Sequence, residues 1–134
     1  MQFTFTQNVL FKHCDPAGIV FYPRYFEIIN DCVEAFFEAI NYSFVALHKD
    51  AAVPTAQIEV KFTASSRHGD QLILNLEAKK IGNSSLTLDI TATTNDEKRF
   101  HCISTLVHVN SIGKPTPWPD HTRAAITPYI RSVS

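Results

Sequence analysis

Residues 13–40 read HCDPAGIVFYPRYFEIINDCVEAFFEAI, and this stretch decides the fold. Its first part, Asp15-Pro16-Ala17-Gly18, is a turn. Pro16 fixes φ near −65° and Gly18 tolerates positive φ, so the chain reverses tightly there. Its second part has the helical period. Tyr25, Ile28, Ile29, Cys32, Val33, Phe36, Phe37 and Ile40 recur at steps of three and four, with Arg24, Glu27, Asp31, Glu34 and Glu38 mostly opposite. Pro23 suits the first helical turn, where its missing N–H costs nothing. A carboxylate on a stiff turn thus sits seven residues ahead of Tyr22, at the start of an apolar helix. The free N–H groups of such a start carry partial positive charge. That pairing suits chemistry on a carbonyl.

Outward from this stretch, the chain reads mostly as strands. Phe3, Phe5, Val9 and Phe11 share a parity, which predicts a strand over 2–12. Residues 41–53 show no period and read as a loop. Ala56, Ile58, Val60 and Phe62 alternate with Gln57, Glu59, Lys61 and Thr63. Leu72, Leu74, Leu76 and Ala78 alternate next, then Leu86, Leu88, Ile90 and Ala92. Turn-forming clusters at 65–70, 81–84 and 95–98 separate these runs. Over 99–109, Phe100, Cys102 and Leu106 share one face, and Ile103, Val107 and Val109 the other. Two apolar faces predict a strand covered on both sides. The tail carries Pro115, Pro117, Pro119 and Pro128 and reads as irregular, with a short helical piece at 120–127.

One strand, one long apolar helix and four further strands predict an α+β architecture. Its economical form is a curved antiparallel five-stranded sheet wrapped around one central helix. The 134 residues point to a single domain over 1–134, with a proline-rich tail at 111–134. The 45% hydrophobic content can fill its core. A net charge of −1 gives no electrostatic case for nucleic acid or membrane. No apolar run approaches the ~20 residues of a membrane span. The N-terminal segment alternates like a strand and does not read as a signal peptide. Three cysteines, Cys14, Cys32 and Cys102, form no CxxC pair. Reduced thiols and a cytoplasmic location are expected.

The motif CDPAGIVFYPRYF leading into the helix resembles the hotdog-fold acyl-CoA thioesterases, and within them the 4-hydroxybenzoyl-CoA thioesterase family. The match is dense over residues 13–26. The strand pattern extends it along the whole chain. The resemblance implies the hotdog fold and hydrolysis of a coenzyme A ester, with an aromatic or a short or medium acyl group. It implies a catalytic carboxylate at Asp15 and a carbonyl-polarising backbone N–H at Tyr22. It also implies a homodimer pairing its sheets edge to edge, or a homotetramer, with active sites at the subunit interface. No cofactor is implied, since coenzyme A belongs to the substrate. Arg24 departs from the family pattern, where an uncharged polar residue is common.

The residues themselves fit that chemistry. Helix N-terminal N–H groups can stabilise a developing oxyanion, and Tyr22, with Phe21 beside it, is placed to do so. Asp15 can attack the carbonyl to give a mixed anhydride, or it can deprotonate a water. The structural alternative is an Asx-type turn closed by the Asp15 side chain. Parity along an extended chain puts His13 on the side of Asp15 and turns Cys14 toward the core. His13 is then a substrate contact, an orienter of Asp15, or a structural histidine. With Asp15 it supplies only two of the ligands a metal needs. Gly18, in the same turn, is a candidate substrate contact. Glu59, Gln57, Thr63 and Ser84 or Ser85 are candidates for a polar group from the facing subunit. Lys79 and Lys80, with Arg67 and Lys61 behind them, are candidates for the coenzyme's phosphates. No Gly-rich phosphate loop is present. A hotdog dehydratase would need a histidine–carboxylate arrangement that this turn lacks. A non-catalytic protein binding acyl-CoA or an acyl carrier is the alternative from another class.

Overall fold

The computed structural model describes residues 1–131; the last three positions of the expected tail, 132–134, lie outside the described residues. The strands are β1 (Phe3–Asn8), β2 (Ala51–Ala52), β3 (Thr55–Phe62), β4 (Gln71–Ile81), β5 (Ser85–Thr94), β6 (Glu97–Val107) and β7 (Val109–Asn110). The helices are α1 (Pro23–Ala39), α2 (Phe44–Leu47) and α3 (Asp120–Ile126). Five strands form one antiparallel sheet in the order β1-β4-β5-β6-β3, and β2 pairs with β7 apart from it. The sheet packs its apolar face on α1 in the hotdog arrangement.

The alternation read from the sequence explains the core. Leu72, Leu74 and Leu76 of β4, Leu86, Leu88 and Ile90 of β5, and Phe100 and Cys102 of β6 are all fully buried. They meet Tyr25, Ile28, Ile29, Cys32, Val33, Phe36 and Phe37 of α1. Asn41 ends the helix in the left-handed region at φ 62°, a conformation asparagine accepts. The Asn41 and Tyr42 N–H groups then donate back to the carbonyls of Glu38 and Phe37.

Several elements differ from the sequence reading. β1 stops at Asn8, because Phe11–His13 turns as a 3₁₀ helix. The stretch read as a loop over 41–53 holds α2, with Ser43 Oγ accepting from the Ala46 N–H at 3.2 Å, and β2. The strand over 55–62 does not pair with its successor; it crosses to the far edge and pairs with β6. β6 is covered on one face only: His101, Ile103, Thr105 and Val107 on the outer face stay half-exposed. The tail is held more firmly than its prolines suggested. Trp118 stacks on His108 at 4.8 Å, Tyr129 meets Phe36 edge-on at 5.1 Å, and Ile126 is fully buried. The Arg131 guanidinium then reaches Asp89 Oδ2 at 2.7 Å on the outer face of the sheet.

Candidate active site

Residues 13–21 form a short hairpin ahead of α1. The Asp15 N–H donates to the Ile19 carbonyl, and the Phe21 N–H to the His13 carbonyl, each at 2.9 Å. Cys14 and Val20 face each other as a bridge between the two legs. The turn closes through the Gly18 N–H on the Asp15 carbonyl at 2.9 Å, with Gly18 at φ +82°. A side chain at Gly18 would be strained by that φ alone. Pro16, which donates nothing, sits where no bond is asked of it.

The Asp15 side chain closes the same turn and also faces a cleft. Its Oδ1 accepts from the Ala17 N–H at 2.9 Å, the Asx geometry named as the structural alternative. Its Oδ2 has no hydrogen-bond partner among the described residues. The carboxylate lines a hollow of about 540 Å³ with Phe11, Cys14, Pro16, Gly18 and His68.

The hairpin is braced from outside. The Val20 N–H donates to the Ser66 carbonyl at 2.8 Å, and Ile19 bridges to Arg67. That 65–70 loop is gathered by the buried Arg99, whose Nη1 donates to the Ser65 carbonyl, Ser66 Oγ and Asp70 Oδ2 at 3.0, 3.2 and 2.7 Å. The Arg67 N–H and the Arg99 guanidinium together hold the Asp70 carboxyl below its usual range. Sequence reading missed Arg99 as the anchor of the site, and also missed His68 as part of its wall. Neither has a local sequence signal.

The helix start supplies one free donor. Pro23 has no N–H, the Arg24 N–H donates to the Phe21 carbonyl at 2.8 Å, and the Tyr25 N–H donates to the Tyr22 carbonyl at 3.1 Å. Phe21, expected to assist, is committed to His13. The Tyr22 N–H has no partner among the described residues. Tyr22 already has helical backbone angles, φ −53° and ψ −33°, so its N–H lies on the positive end of α1. Val20, Tyr22, Tyr25, Phe62, Thr63 and Ser65 line a hollow of about 370 Å³ beside it. Phe62 fills one wall, with its ring 5.3 Å from that of Tyr25.

The structure separates the other candidates. His13 is buried and is absent from the Asp15 cleft, whereas Cys14 lines it. The 3₁₀ turn at 11–13 breaks the extended geometry behind the parity argument. His13 Nδ1 accepts from the Leu10 N–H at 2.8 Å, so its neutral ring carries the proton on Nε2. Burial first, and then the Lys12 charge, lower its pKa. Cys14 packs partly on the core as well, with Sγ 3.8 Å from the Leu10 carbonyl.

Glu59 and Gln57 point to the outer face of the sheet, paired with Ile103 and Thr105. Glu59 and Lys79 share a polar hollow there with Lys61, Asp89, His101 and Arg131. Thr63 does reach the hollow beside Tyr22, although its hydroxyl donates to the Lys98 carbonyl at 2.8 Å. Lys79 sits at an irregularity between Ala78 and Lys80 near the end of β4. Ser84 lies in the turn to β5, where its carbonyl accepts from the His108 N–H at 2.7 Å. Lys79, Lys80 and Ser84 are therefore at the end of the sheet away from Asp15, which neighbours the start of β4.

No group of three or more His, Cys, Asp or Glu side chains is placed to hold a metal among the described residues. The Cys32 and Cys102 thiols are buried in the core, and burial pushes each up to about 12. No described helix is long and apolar enough to cross a membrane. A carboxylate with a free oxygen and an unpaired N–H at a helix start are the kinds of group that carbonyl chemistry uses, and here they line two neighbouring hollows, one at the hairpin turn and one at the helix start.

Comparison with known proteins agrees with this architecture. The sequence model of the thioesterase-like superfamily matches residues 9–126. A 1,4-dihydroxy-2-naphthoyl-CoA hydrolase from Nostoc punctiforme is 30% identical over 98 residues, 68% of this chain. That match spans 64% of the relative's own length. Among solved structures, a 1,4-dihydroxy-2-naphthoyl-CoA thioesterase from Synechocystis superposes with a TM-score of 0.88 at 20% identity, over 95% of this chain and 96% of that one. A Staphylococcus aureus protein solved in complex with CoA superposes with a TM-score of 0.92 at 18% identity, over 100% of this chain and 89% of that one.

Proposed function

The chain belongs to the thioesterase-like superfamily, and on that premise we propose that it hydrolyses acyl-CoA thioesters to a free acid and CoA. The observation that carries the reading is the unpaired Tyr22 N–H at the start of α1, directly after the hairpin whose turn holds the free Asp15 Oδ2. The Tyr22 N–H, with the helix dipole behind it, receives the thioester oxygen as negative charge grows there. Losing one such donor typically lowers turnover by ~10²–10³. Asp15 supplies the attacking oxygen, either directly as a nucleophile or by taking a proton from water. Both routes leave the acid and the thiol, and neither draws on a cofactor.

An aromatic acyl group is the favoured substrate class. The Nostoc relative and the Synechocystis structure are both named for a dihydroxynaphthoyl thioester, and aromatic side chains crowd the helix start here. Tyr22 and Phe26 both meet Phe62 edge-on, at 6.4 and 6.5 Å. The reading includes a cytoplasmic protein assembled as a dimer or tetramer. β3 is an edge strand with exposed Ile58 and Phe62, and a second copy pairing along it would cover both. Lys79, Lys80 and Ser84, remote from Asp15 within the chain, would then meet the coenzyme only from a partner subunit. Glu59 faces away from the helix and has no part in this reading.

The test is CoA release from a panel of aromatic, short-chain and medium-chain acyl-CoAs, comparing the native protein with Asp15→Asn. Release that disappears with the carboxylate supports hydrolysis at this site. Binding without release supports the non-catalytic alternative, which the Asp15–Ala17 turn bond would satisfy. Release that survives in Asp15→Asn places the chemistry elsewhere.

A further inference from the structure

A groove of about 500 Å³ runs between α1 and β3. It begins at Phe26, one helical turn beyond Tyr22, and continues past Ile29 and Asn30 to Val33. Residues four apart lie on one side of a helix, about 6 Å along the axis. Phe26 at its mouth meets Phe62 edge-on at 6.5 Å, and Phe62 also lines the hollow beside Tyr22, so the groove adjoins that hollow. The floor is buried: Ile29, Val33, Leu106 and Ser104 are at most 6% exposed. The rim is open, with Phe26, Asn30, His48 and Ile58 exposed. Pockets of this size, mostly apolar with a few placed polar groups, are typical of small-molecule sites.

Ser104 is the polar group in that floor. It stands on β6 between Ile58 of β3 and Leu88 of β5, on the apolar face that carries Phe100 and Cys102. A buried hydroxyl is normally paired. Thr94, also buried, donates to the Gln71 carbonyl at 2.8 Å. The Ser104 hydroxyl has no hydrogen-bond partner among the described residues and is not sealed off, so it opens into the groove that Ser104 lines. Both its donor and its acceptor capacity are left for whatever occupies that space.

We infer that the α1–β3 groove is the acyl subsite and that Ser104 determines specificity in it, by hydrogen bonding a hydroxyl on the aromatic ring of the acyl group. The inference rests on the thioesterase reading of Asp15 and Tyr22. The ring lies along Phe26 and the apolar floor, while its thioester carbonyl sits at the Tyr22 N–H. An unsubstituted ring fills the same space and leaves Ser104 unpaired. A site built to bond a substrate hydroxyl rejects the analogue lacking it more strongly than shape alone allows.

The experiment compares 6-hydroxy-2-naphthoyl-CoA, whose hydroxyl is on the ring edge far from the thioester, with 2-naphthoyl-CoA on the native protein, Ser104→Ala and Ser104→Thr. The native protein should prefer the hydroxylated ester. Ser104→Ala removes one oxygen from an apolar wall, and should lower kcat/KM for that ester by about tenfold, mainly through KM. It should leave the unsubstituted ester unchanged or slightly improved. Ser104→Thr keeps the hydroxyl and should keep the preference. Equal effects of Ser104→Ala on both esters, or no native preference, would overturn the assignment of Ser104 and leave Asp15 chemistry standing. Native protein inactive on both esters and on the wider panel would remove the thioesterase reading and this inference together.

Discussion

Replacing Asp15 separates its two jobs, because they use different oxygens. Oδ1 accepts the Ala17 N–H at 2.9 Å and belongs to the turn, while Oδ2 is free for chemistry. Asp15→Asn keeps an amide oxygen to accept from Ala17 and removes the negative charge. Asp15→Ala removes both. The turn bond is exposed, so its loss in Asp15→Ala should cost about 0.5–1.5 kcal/mol. In a domain of this length that lowers Tm by roughly 2–6 °C. Asp15→Asn should stay closer to the native value. Turnover should fall in both variants by roughly 10³-fold or more, equivalent to about 4 kcal/mol of barrier. Both routes open to the carboxylate need its charge. Binding of an unreactive acyl-CoA analogue should persist, because the Tyr22 N–H and the apolar groove are unaltered. The expected pattern is a collapse in kcat with little change in Kd.

The assay is steady-state CoA release, paired with thermal unfolding of each variant. A folded Asp15→Asn protein with near-native turnover would refute the reasoning, since the turn would then be all that Asp15 supplies. Single-turnover hydrolysis in heavy-oxygen water distinguishes the two routes further. Label entering the Asp15 carboxylate would mark an anhydride opened at the aspartyl carbon.

In the native protein one thiol should react with a soluble thiol reagent, and three after unfolding. Cys14 is half-exposed, while Cys32 and Cys102 are buried with thiols pushed up to about 12; rapid labelling of all three would contradict that core packing. The 15.1 kDa chain should sediment as a dimer or larger at assay concentration, and a fully active monomer would rule out a site completed across the β3 edge. Burial lowers the His13 pKa, so its contribution to stability is present above about pH 6.5 and is lost as pH falls through its folded value. The denaturation midpoint should therefore drop below pH 6.5 less steeply in His13→Gln than in the native protein, and parallel curves would remove His13 from the account.

The elements themselves were readable because each needs only a local period. α1 follows from apolar residues at three- and four-residue steps, and β4 and β5 from strict alternation. Neighbour relations in the sheet have no such local signal. β3 alternates like the others, yet it pairs with β6 rather than β4, because adjacency is settled by how the strands share the surface of α1. The turn at Asp15 and the helix start at Tyr22 were readable for the opposite reason: proline and glycine specify backbone shape within four residues. The loss of Phe21 as a donor was not, since it depends on a bond to His13 that exists only once the hairpin has closed.

Three candidate residues could have been placed by carrying the alternation one step further. Ile58, Val60 and Phe62 of β3 share one face, and an apolar face must turn toward the helix. Glu59 and Lys61, on the other parity, are thereby directed outward. The same argument applied to β6 isolates Ser104. Its apolar face runs Phe100, Cys102, Leu106, and the missing member of that series is position 104. A serine there cannot be a surface residue without shifting the whole strand by one register step. It must instead be a hydroxyl facing the core side of the sheet, among residues that offer it no partner. A polar break in an otherwise unbroken apolar parity marks either a buried hydrogen bond within the protein or a place where something else makes one. The described side chains supply no internal bond, which leaves the groove beside α1 as the place where the hydroxyl acts.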